Sequence, residues 1–334
     1  MASILVTGGA GYIGSHTLRH LLGAGHDPVV LDDLSAGHRA AVPAGVPIVE
    51  ASTGDPAVVA KVLADHAPAA VIHFAGSIEA GESMTDPRRF YANNVSAGLA
   101  LLDALVDAAG DGDPVPVVFS SSAAVYGDPA TVPIPEGAAT VPTNVYGETK
   151  LMFERALAAY DRAYGLRSIA LRYFNACGAA ADGSIGPDHR MKTHLMTLAL
   201  LAALGQRDAV EVMGDDYPTP DGTGIRDYIH VDDLASAHVL AIDALTAGAP
   251  TTTYNVGVGR GFSVREVLDA VDRVVGRPVP RRIGPRRAGD PACLVADSSK
   301  AQAELGWAPQ YTDLDAIAAT AWRWHSAHPH GYGD

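Results

Sequence analysis

Short apolar runs rich in β-branched residues, at positions 4–6, 29–31, 71–74 and 115–120, alternate with alanine- and leucine-rich stretches of helical period. This is the strand–helix–strand rhythm of a parallel sheet. The string Val71-Ile72-His73-Phe74 does not alternate polar with apolar, as a strand facing solvent on one side would. Such a run fits a strand covered by helices on both faces, so the pattern predicts a doubly wound parallel α/β sheet. After about Asn175 the rhythm weakens, and loops rich in Gly, Pro and Asp occupy positions 178–188 and 214–224. A chain of 334 residues exceeds the size at which one core usually stops growing. Two lobes are expected: a dinucleotide-binding lobe over 1–175 and a smaller α/β lobe over 176–334, with some segments of the second returning to the first.

Composition narrows the classes of function. Hydrophobic residues make up 48% of the chain and charged residues 19%, enough apolar surface for a large core and too much for disorder. The longest strongly apolar stretch, residues 195–204, is about half of a membrane span. The N-terminus enters a strand pattern at once, with no charged region, apolar run and cleavage site, so a cytoplasmic protein is expected. Two widely spaced cysteines, Cys177 and Cys293, suggest neither a disulfide framework nor a zinc cluster. A net charge of −14 disfavours nucleic acid and anionic membranes as partners. An anionic ligand must therefore find local positive charge.

The first chemical motif is Thr7-Gly8-Gly9-Ala10-Gly11-Tyr12-Ile13-Gly14, between the strand at 4–6 and a helix expected from about Ile13 to Gly23. Glycines there let the backbone approach a pyrophosphate at a helix N-terminus, where free N–H groups and the dipole favour anions. The next strand ends in Asp32, at the distance expected for a carboxylate that bonds a ribose hydroxyl. Asp32 favours NAD over NADP, because it would repel a 2′-phosphate and Arg39 is the only cation nearby in sequence. A plain tight turn followed by a surface Asp is the competing interpretation, and the strand–turn–helix–strand context weighs against it.

The second motif is Tyr146-Gly147-Glu148-Thr149-Lys150, preceded by Phe119-Ser120-Ser121-Ser122 at a strand end. Tyr146 and Lys150 are four apart and share a helix face. An ammonium beside a phenol is expected to lower the phenol's pKa and make it a usable general base. A serine at the carboxyl end of the strand can bond the same substrate hydroxyl, and Ser122 is the chosen one of the three. Spacing alone is equally compatible with an amphipathic helix whose lysine is solvated. The dinucleotide fingerprint upstream tips the balance.

These strings resemble the extended short-chain dehydrogenases/reductases and, within them, the UDP-sugar 4-epimerases. The likeness runs nearly end to end through His73-Phe74-Ala75-Gly76, Glu82-Ser83, Asn93-Asn94-Val95, Arg172-Tyr173-Phe174-Asn175 and Asp216-Tyr217-Pro218-Thr219 to Asp221-Gly222-Thr223-Gly224-Ile225-Arg226-Asp227-Tyr228-Ile229-His230. The resemblance implies a Rossmann-like fold and bound NAD. It further implies interconversion of UDP-glucose and UDP-galactose by C4 oxidation, rotation of the 4-keto sugar and hydride return to its other face. In this likeness Tyr146 is the base, Ser122 orients the hydroxyl, and Lys150 tunes Tyr146 and holds the nicotinamide ribose.

It also assigns cofactor contacts to Gly8, Gly11, Tyr12, Ile13, Gly14, Asp32, Asp33, Leu34, Ser52 and Thr53, and beyond them to Phe74, Ala75, Gly76, Asn93, Ser120, Tyr146, Lys150 and Tyr173. Substrate contacts fall on Ser122, Tyr146, Asn175, His194, Leu195, Met213, Arg226, Tyr228, Arg287, Asp290 and Leu294. Guanidinium forks suit phosphate oxygens, and Arg281-Arg282 with Arg286-Arg287 form a basic island in an acidic chain. Ala51-Ser52-Thr53 replaces the family's Gly-Asp-Ile beside the adenine, and Ile78 stands where many members carry lysine. Ala123-Ala124 replaces the Asp-Glu pair of related dehydratases and cannot transfer protons, which sets dehydration aside.

UDP-pentose 4-epimerisation remains the second reading, and a silent NAD-binding regulator a third, from a different class. Relatives pair helices into dimers, and Leu99, Leu102, Leu105 and Val106 with Met152, Leu157 and Tyr160 offer either such a seam or ordinary core. Three further features are expected to be structural. His325, His328 and His330 read as a solvated C-terminus with no metal, Asp232-Asp233 as a helix cap, and Trp322 and Trp324 as packing residues.

Overall fold

In the computed structural model, which describes residues 2–287 and 290–333, seven parallel strands form one sheet. In chain order they are β1 (Ser3–Thr7), β2 (Asp27–Asp32), β3 (Ile48–Glu50), β4 (Ala70–His73), β5 (Val117–Ser120), β6 (Ser168–Tyr173) and a seventh strand, Thr252–Val256. The spatial order is Thr252–Val256, β6, β5, β4, β1, β2, β3. Connections therefore run in opposite directions on the two sides of the β1–β4 pair, leaving a crevice at their carboxyl ends where α/β proteins bind ligands. This is the doubly wound architecture predicted from the apolar runs.

The strands are apolar along their middles because both faces are covered, and their polar residues lie mostly at the ends. On one side Ile4, Val6, Ile72 and Val118 pack against Leu18 and Leu21 of the helix Tyr12–Gly23 and against Leu234, Ile242 and Leu245 of the helix Val231–Thr246. On the other, Leu5, Leu31, Val71 and Val117 pack against Val59, Leu101, Leu105, Phe153 and Leu157. Leu102, Leu105 and Leu157 of the proposed helical seam thus belong to the chain's own core, while Met152 is exposed. Among the described residues, no helix is long and apolar enough to cross a membrane.

A second core lies beyond Asn175. The strand Ile225–His230 pairs with Asn175–Cys177, Gly261–Ser263 and Cys293–Leu294, and Val210–Met213 pairs with Arg281–Gly284. The helices Leu195–Ala203, Val264–Val275 and Leu314–Ala327 cover these strands. The seventh strand and the helix Val231–Thr246 lie beyond Asn175 in sequence yet pack with the first sheet.

Two structural expectations change. Asp232-Asp233 does not cap the helix that follows: His230 is the N-cap, its side chain accepting from the Asp232 amide. Asp232 instead bonds His16 at 2.7 Å, on the helix after the glycine turn. Asp233 accepts the backbone amides of Gln310 and Tyr311 at 2.7 and 2.9 Å and pins a distant loop. The C-terminal histidines do not share a solvated tail either. His325 is buried in the last helix, His328 stacks on Trp324 at 3.9 Å, and His330 alone is exposed. Helical period in this stretch is set by Ile317, Ala321 and Trp324, all buried, and it carries His325 inside with them.

Asp233, itself buried, satisfies two part-buried amides from a segment remote in sequence. Asp233→Ala should lower unfolding stability by about 1–3 kcal/mol, read as a lower urea midpoint at unchanged slope.

Candidate active site

The glycine turn joins β1 to the helix Tyr12–Gly23, which begins one residue earlier than expected. Gly8 sits at φ +70, and a Cβ there would lie 2.6 Å from the Ala75 nitrogen. A Cβ on Gly14 would lie 2.4 Å from the Gly8 carbonyl oxygen. Only glycine lets the turn fold this tightly against the end of β4. Gly11 is the helix N-cap and supplies no capping side chain, and its own amide donates to the Gly8 carbonyl at 3.2 Å, so the first-turn amides at Tyr12 and Ile13 are left to face the open cleft that these residues line. That cradle fits a pyrophosphate.

Asp32 ends β2 nearly buried on the cleft wall. Its carboxylate accepts the amides of Ala10 and Leu34, each at 2.9 Å. Burial raises its pKa, and the two amides oppose that rise. Leu34 takes a left-handed conformation, φ 56, which turns its amide back onto Asp32. Asp33, Ser52, Thr53, Phe74, Ala75, Gly76, Asn93 and Tyr173 also line the cleft, as does the departure Ile78. Asn93 arrives through a π-helical turn, Tyr91–Ser96, while its neighbour Asn94 clamps the Ser77 backbone at 2.7 and 2.9 Å. Successive residues on a helix point about 100° apart, which puts one asparagine toward the cleft and the other inward.

The acid–base cluster lies at the carboxyl end of β5. Tyr146 and Lys150 share one face of the helix Val145–Tyr164, which Asn144 caps through the Gly147 amide at 2.8 Å. The Lys150 ammonium donates to the Ser120 carbonyl at 2.8 Å and lies 5.7 Å from the centre of the Tyr146 ring. The Ser122 hydroxyl lies near enough to Tyr146 to favour its phenolate, and the Ser120 hydroxyl donates to Tyr173 at 2.8 Å. The three expected residues are therefore assembled.

Their electrostatics differ from the expectation. Burial pushes the Tyr146 phenol well above its ordinary value, helped by nearby Tyr173 and opposed only by the Ser122 hydroxyl. Lys150 does not pull it down; burial instead lowers the lysine to about 8, with Glu154 opposing the fall. Desolvation penalises both charged forms and here outweighs the attraction between them.

The remaining expected residues form two further groups. Asn175, His194, Leu195 and Tyr228 line one small cavity, where Asn175 and Tyr228 are register partners and His194 stacks on His189 at 4.7 Å. Arg226 and Arg287 converge on Asp290 at 3.8 and 3.9 Å, and Leu294 is the register partner of Arg226. Arg226 and Tyr228 are two apart on one strand and so share a face. Met213 ends its strand opposite Gly284. The basic island is not one site, however. Arg281 pairs with Asp269 and Asp272, and Arg286 pairs with Asp216 and stacks on Tyr217, because acidic residues from other elements reach them first.

A family model described as the NAD dependent epimerase/dehydratase family matches residues 4–257. The chain belongs to this family. The UDP-glucose 4-epimerase of Lacticaseibacillus casei is 47% identical over 332 residues, 99% of each chain. The solved UDP-glucose 4-epimerase from Brucella ovis, in complex with NAD, is 50% identical with a TM-score of 0.92, over 96% of this chain and 98% of its own. That from Bifidobacterium longum, in complex with NAD+ and UDP, is 38% identical with a TM-score of 0.92, over 99% and 100%.

Against that family frame, some cleft residues carry no local signal. Arg190 lines the cleft and donates to the Leu34 carbonyl at 3.1 Å, so Arg39 is not the only cation near Asp32; Arg39 itself pairs with Glu50. His189 and Tyr332 line the cleft from segments remote in sequence. Glu154 is different. It follows Tyr146 and Lys150 at the same spacing of four, so the helix face was readable and only its partners were hidden.

The lowered Lys150 has a measurable consequence. Between pH 8 and 10.5 an unfolded chain's lysine holds a proton that the folded one has lost, so stability rises with pH across that window. Relative to Lys150→Met, the wild type should gain up to about 3 kcal/mol between these limits in urea titrations.

Proposed function

We propose that this protein interconverts UDP-glucose and UDP-galactose through reversible C4 oxidation with bound NAD and a 4-keto sugar. The observation that carries the proposal is the assembly of Ser122, Tyr146 and Lys150 at the end of β5, beside a glycine cradle and the Asp32 carboxylate. The names borne by the relatives favour hexose over the pentose alternative. Residues 1–175 are proposed as the cofactor lobe and residues 176–334 as the substrate lobe, with segments returning to the first.

In this proposal the amides at Tyr12 and Ile13 hold the cofactor pyrophosphate against the glycine turn of Gly8, Gly11 and Gly14, and Asp32 with Asp33 and Leu34 meets the adenosine ribose. Ser52 and Thr53 face the adenine. Phe74, Ala75, Gly76, Asn93, Ser120 and Tyr173 flank the rest of the dinucleotide. NAD, when bound, supplies a positively charged ring that takes up a hydride and returns it. Ser122 accepts or donates a hydrogen bond at the sugar C4 hydroxyl, and Tyr146, in the phenolate form that a bound positive ring would favour against the burial penalty, takes that hydroxyl's proton and later gives it back. Lys150, charged below about pH 8, holds the ribose hydroxyls of the same cofactor end. Arg226 and Arg287 bind the diphosphate, Asn175, Tyr228, His194 and Leu195 position the nucleotide, Met213 lines the uridine, and Leu294 limits the room at the sugar's 2-substituent. With the UDP anchored, the keto sugar alone can turn and present its other face. Burial of the base keeps water from competing for the proton.

The two free cysteines, Cys177 and Cys293, fit a cytoplasmic enzyme, and the exposed Met152 with half-buried Leu99 and Val106 fits a homodimer seam.

Purified protein incubated anaerobically with UDP-galactose and no added cofactor should yield UDP-glucose without net NADH. If UDP-galactose stays unchanged even with NAD supplied, while UDP-xylose becomes UDP-arabinose, the pentose reading replaces this one. Tyr146→Phe should keep its fold and cofactor and lose a factor on the order of 10²–10⁴ in kcat. Full activity in that variant would remove Tyr146 as the base.

A further inference from the structure

The serine run at the end of β5 is tied down residue by residue. The Ser120 carbonyl accepts from Lys150, and Ser122, whose hydroxyl accepts the Ala124 amide at 3.2 Å, lies beside Tyr146. Between them, Ser121 is fully buried and donates to Glu154 at 2.5 Å. Tyr146, Lys150 and Glu154 are spaced by four on one helix, so three consecutive strand-end serines are matched to three consecutive turns of one helix face. Glu154 is itself fixed by Arg172 of β6, through contacts of 2.9 and 2.6 Å to its two oxygens. Arg172 continues to the Tyr126 hydroxyl at 3.0 Å, which donates to Asn255 of the seventh strand at 2.7 Å. The buried chain of polar contacts therefore joins the helix to three adjacent strands.

From this geometry we propose that Glu154 is a positioning residue of the active site. Anchored by Arg172, its carboxylate holds Ser121 and so sets the register in which Ser120 meets Lys150 and Ser122 meets Tyr146. A fork-shaped guanidinium gripping both oxygens leaves Glu154 little freedom to turn, and the short Ser121 bond passes that fixity to the strand end. The carboxylate also supports the proton on Lys150. The ionisable groups about this lysine and its partners are Tyr146 on its own helix, Tyr173 and the Glu154-bound Arg172 on β6, His73 on β4, and Glu79, whose charge acts on Tyr146. Burial holds both phenols and the imidazole uncharged at neutral pH, so Glu154 is the favourable charge in the surroundings. The inference deepens the epimerase reading and rests on it.

The test separates register from charge. Ser121→Ala removes only the hydrogen bond, and should lower kcat by roughly tenfold at unchanged KM, with the high-pH limb of the kcat profile in place. Glu154→Asp should restore most of the wild-type rate. Glu154→Gln leaves Arg172 unpaired and can fail to fold, so the double variant Glu154→Gln/Arg172→Gln, which keeps the pair neutral, carries the charge arm. Its high-pH limb should move down by about one pH unit, and the onset of the Lys150-linked rise in stability should move down with it. Rates within twofold of wild type in both Ser121→Ala and the double variant, with neither profile shifted, would overturn the proposal. If the wild type does not epimerise UDP-galactose, the reading of function fails instead, and the stability profile still decides whether Glu154 supports Lys150.

Discussion

Helices close both faces of the parallel sheet, so polar side chains can function only where strands end. Residues such as Ile4, Val6, Leu5 and Leu31 leave no room for a charge within the layers. What must touch ligand is driven to the carboxyl edge, and there the reversal of connections between β1 and β4 opens the crevice. The glycine turn, Asp32, the end of β4 and the serines after β5 all lie along that edge. The site follows from the layer packing rather than from a separate scaffold.

Burial gives this edge its chemistry and also sets its cost. A phenol and an ammonium withdrawn from water together both resist charging, and here that resistance exceeds their mutual attraction. The sheet accommodates such groups only because each polar atom has a partner: Lys150 on the Ser120 carbonyl, Ser121 on Glu154, Glu154 on Arg172. An isolated member of this set would be destabilising, while the completed set fixes one geometry.

The second group of strands meets another constraint, that of keeping positive charge together in an acidic protein. Positive charge is available in sequence at several arginines, but carboxylates from other elements absorb Arg281 and Arg286. Arg226 and Arg287 remain grouped around Asp290, in register with Leu294 and on the face shared with Tyr228. The segment carrying Asp188 and Arg190 then reaches back over the cofactor cleft, and Thr193 bonds Glu79 on its far wall at 2.8 Å.

Period and punctuation determined the doubly wound sheet, the glycine turn at Gly8 and Gly14, the acidic end of β2, and the shared face of Tyr146 and Lys150, because each depends on neighbours a few residues away. The family likeness was equally legible, since its strings are contiguous. Tertiary structure alone decided which charges are neutralised, that Asp232 and Asp233 bind distant partners instead of capping a helix, and that His325 is buried. It alone set the direction of the Tyr146 shift and brought Arg190 beside Leu34. Desolvation and ion pairing depend on what packs against a group from elsewhere in the chain, and local sequence carries no record of those distances.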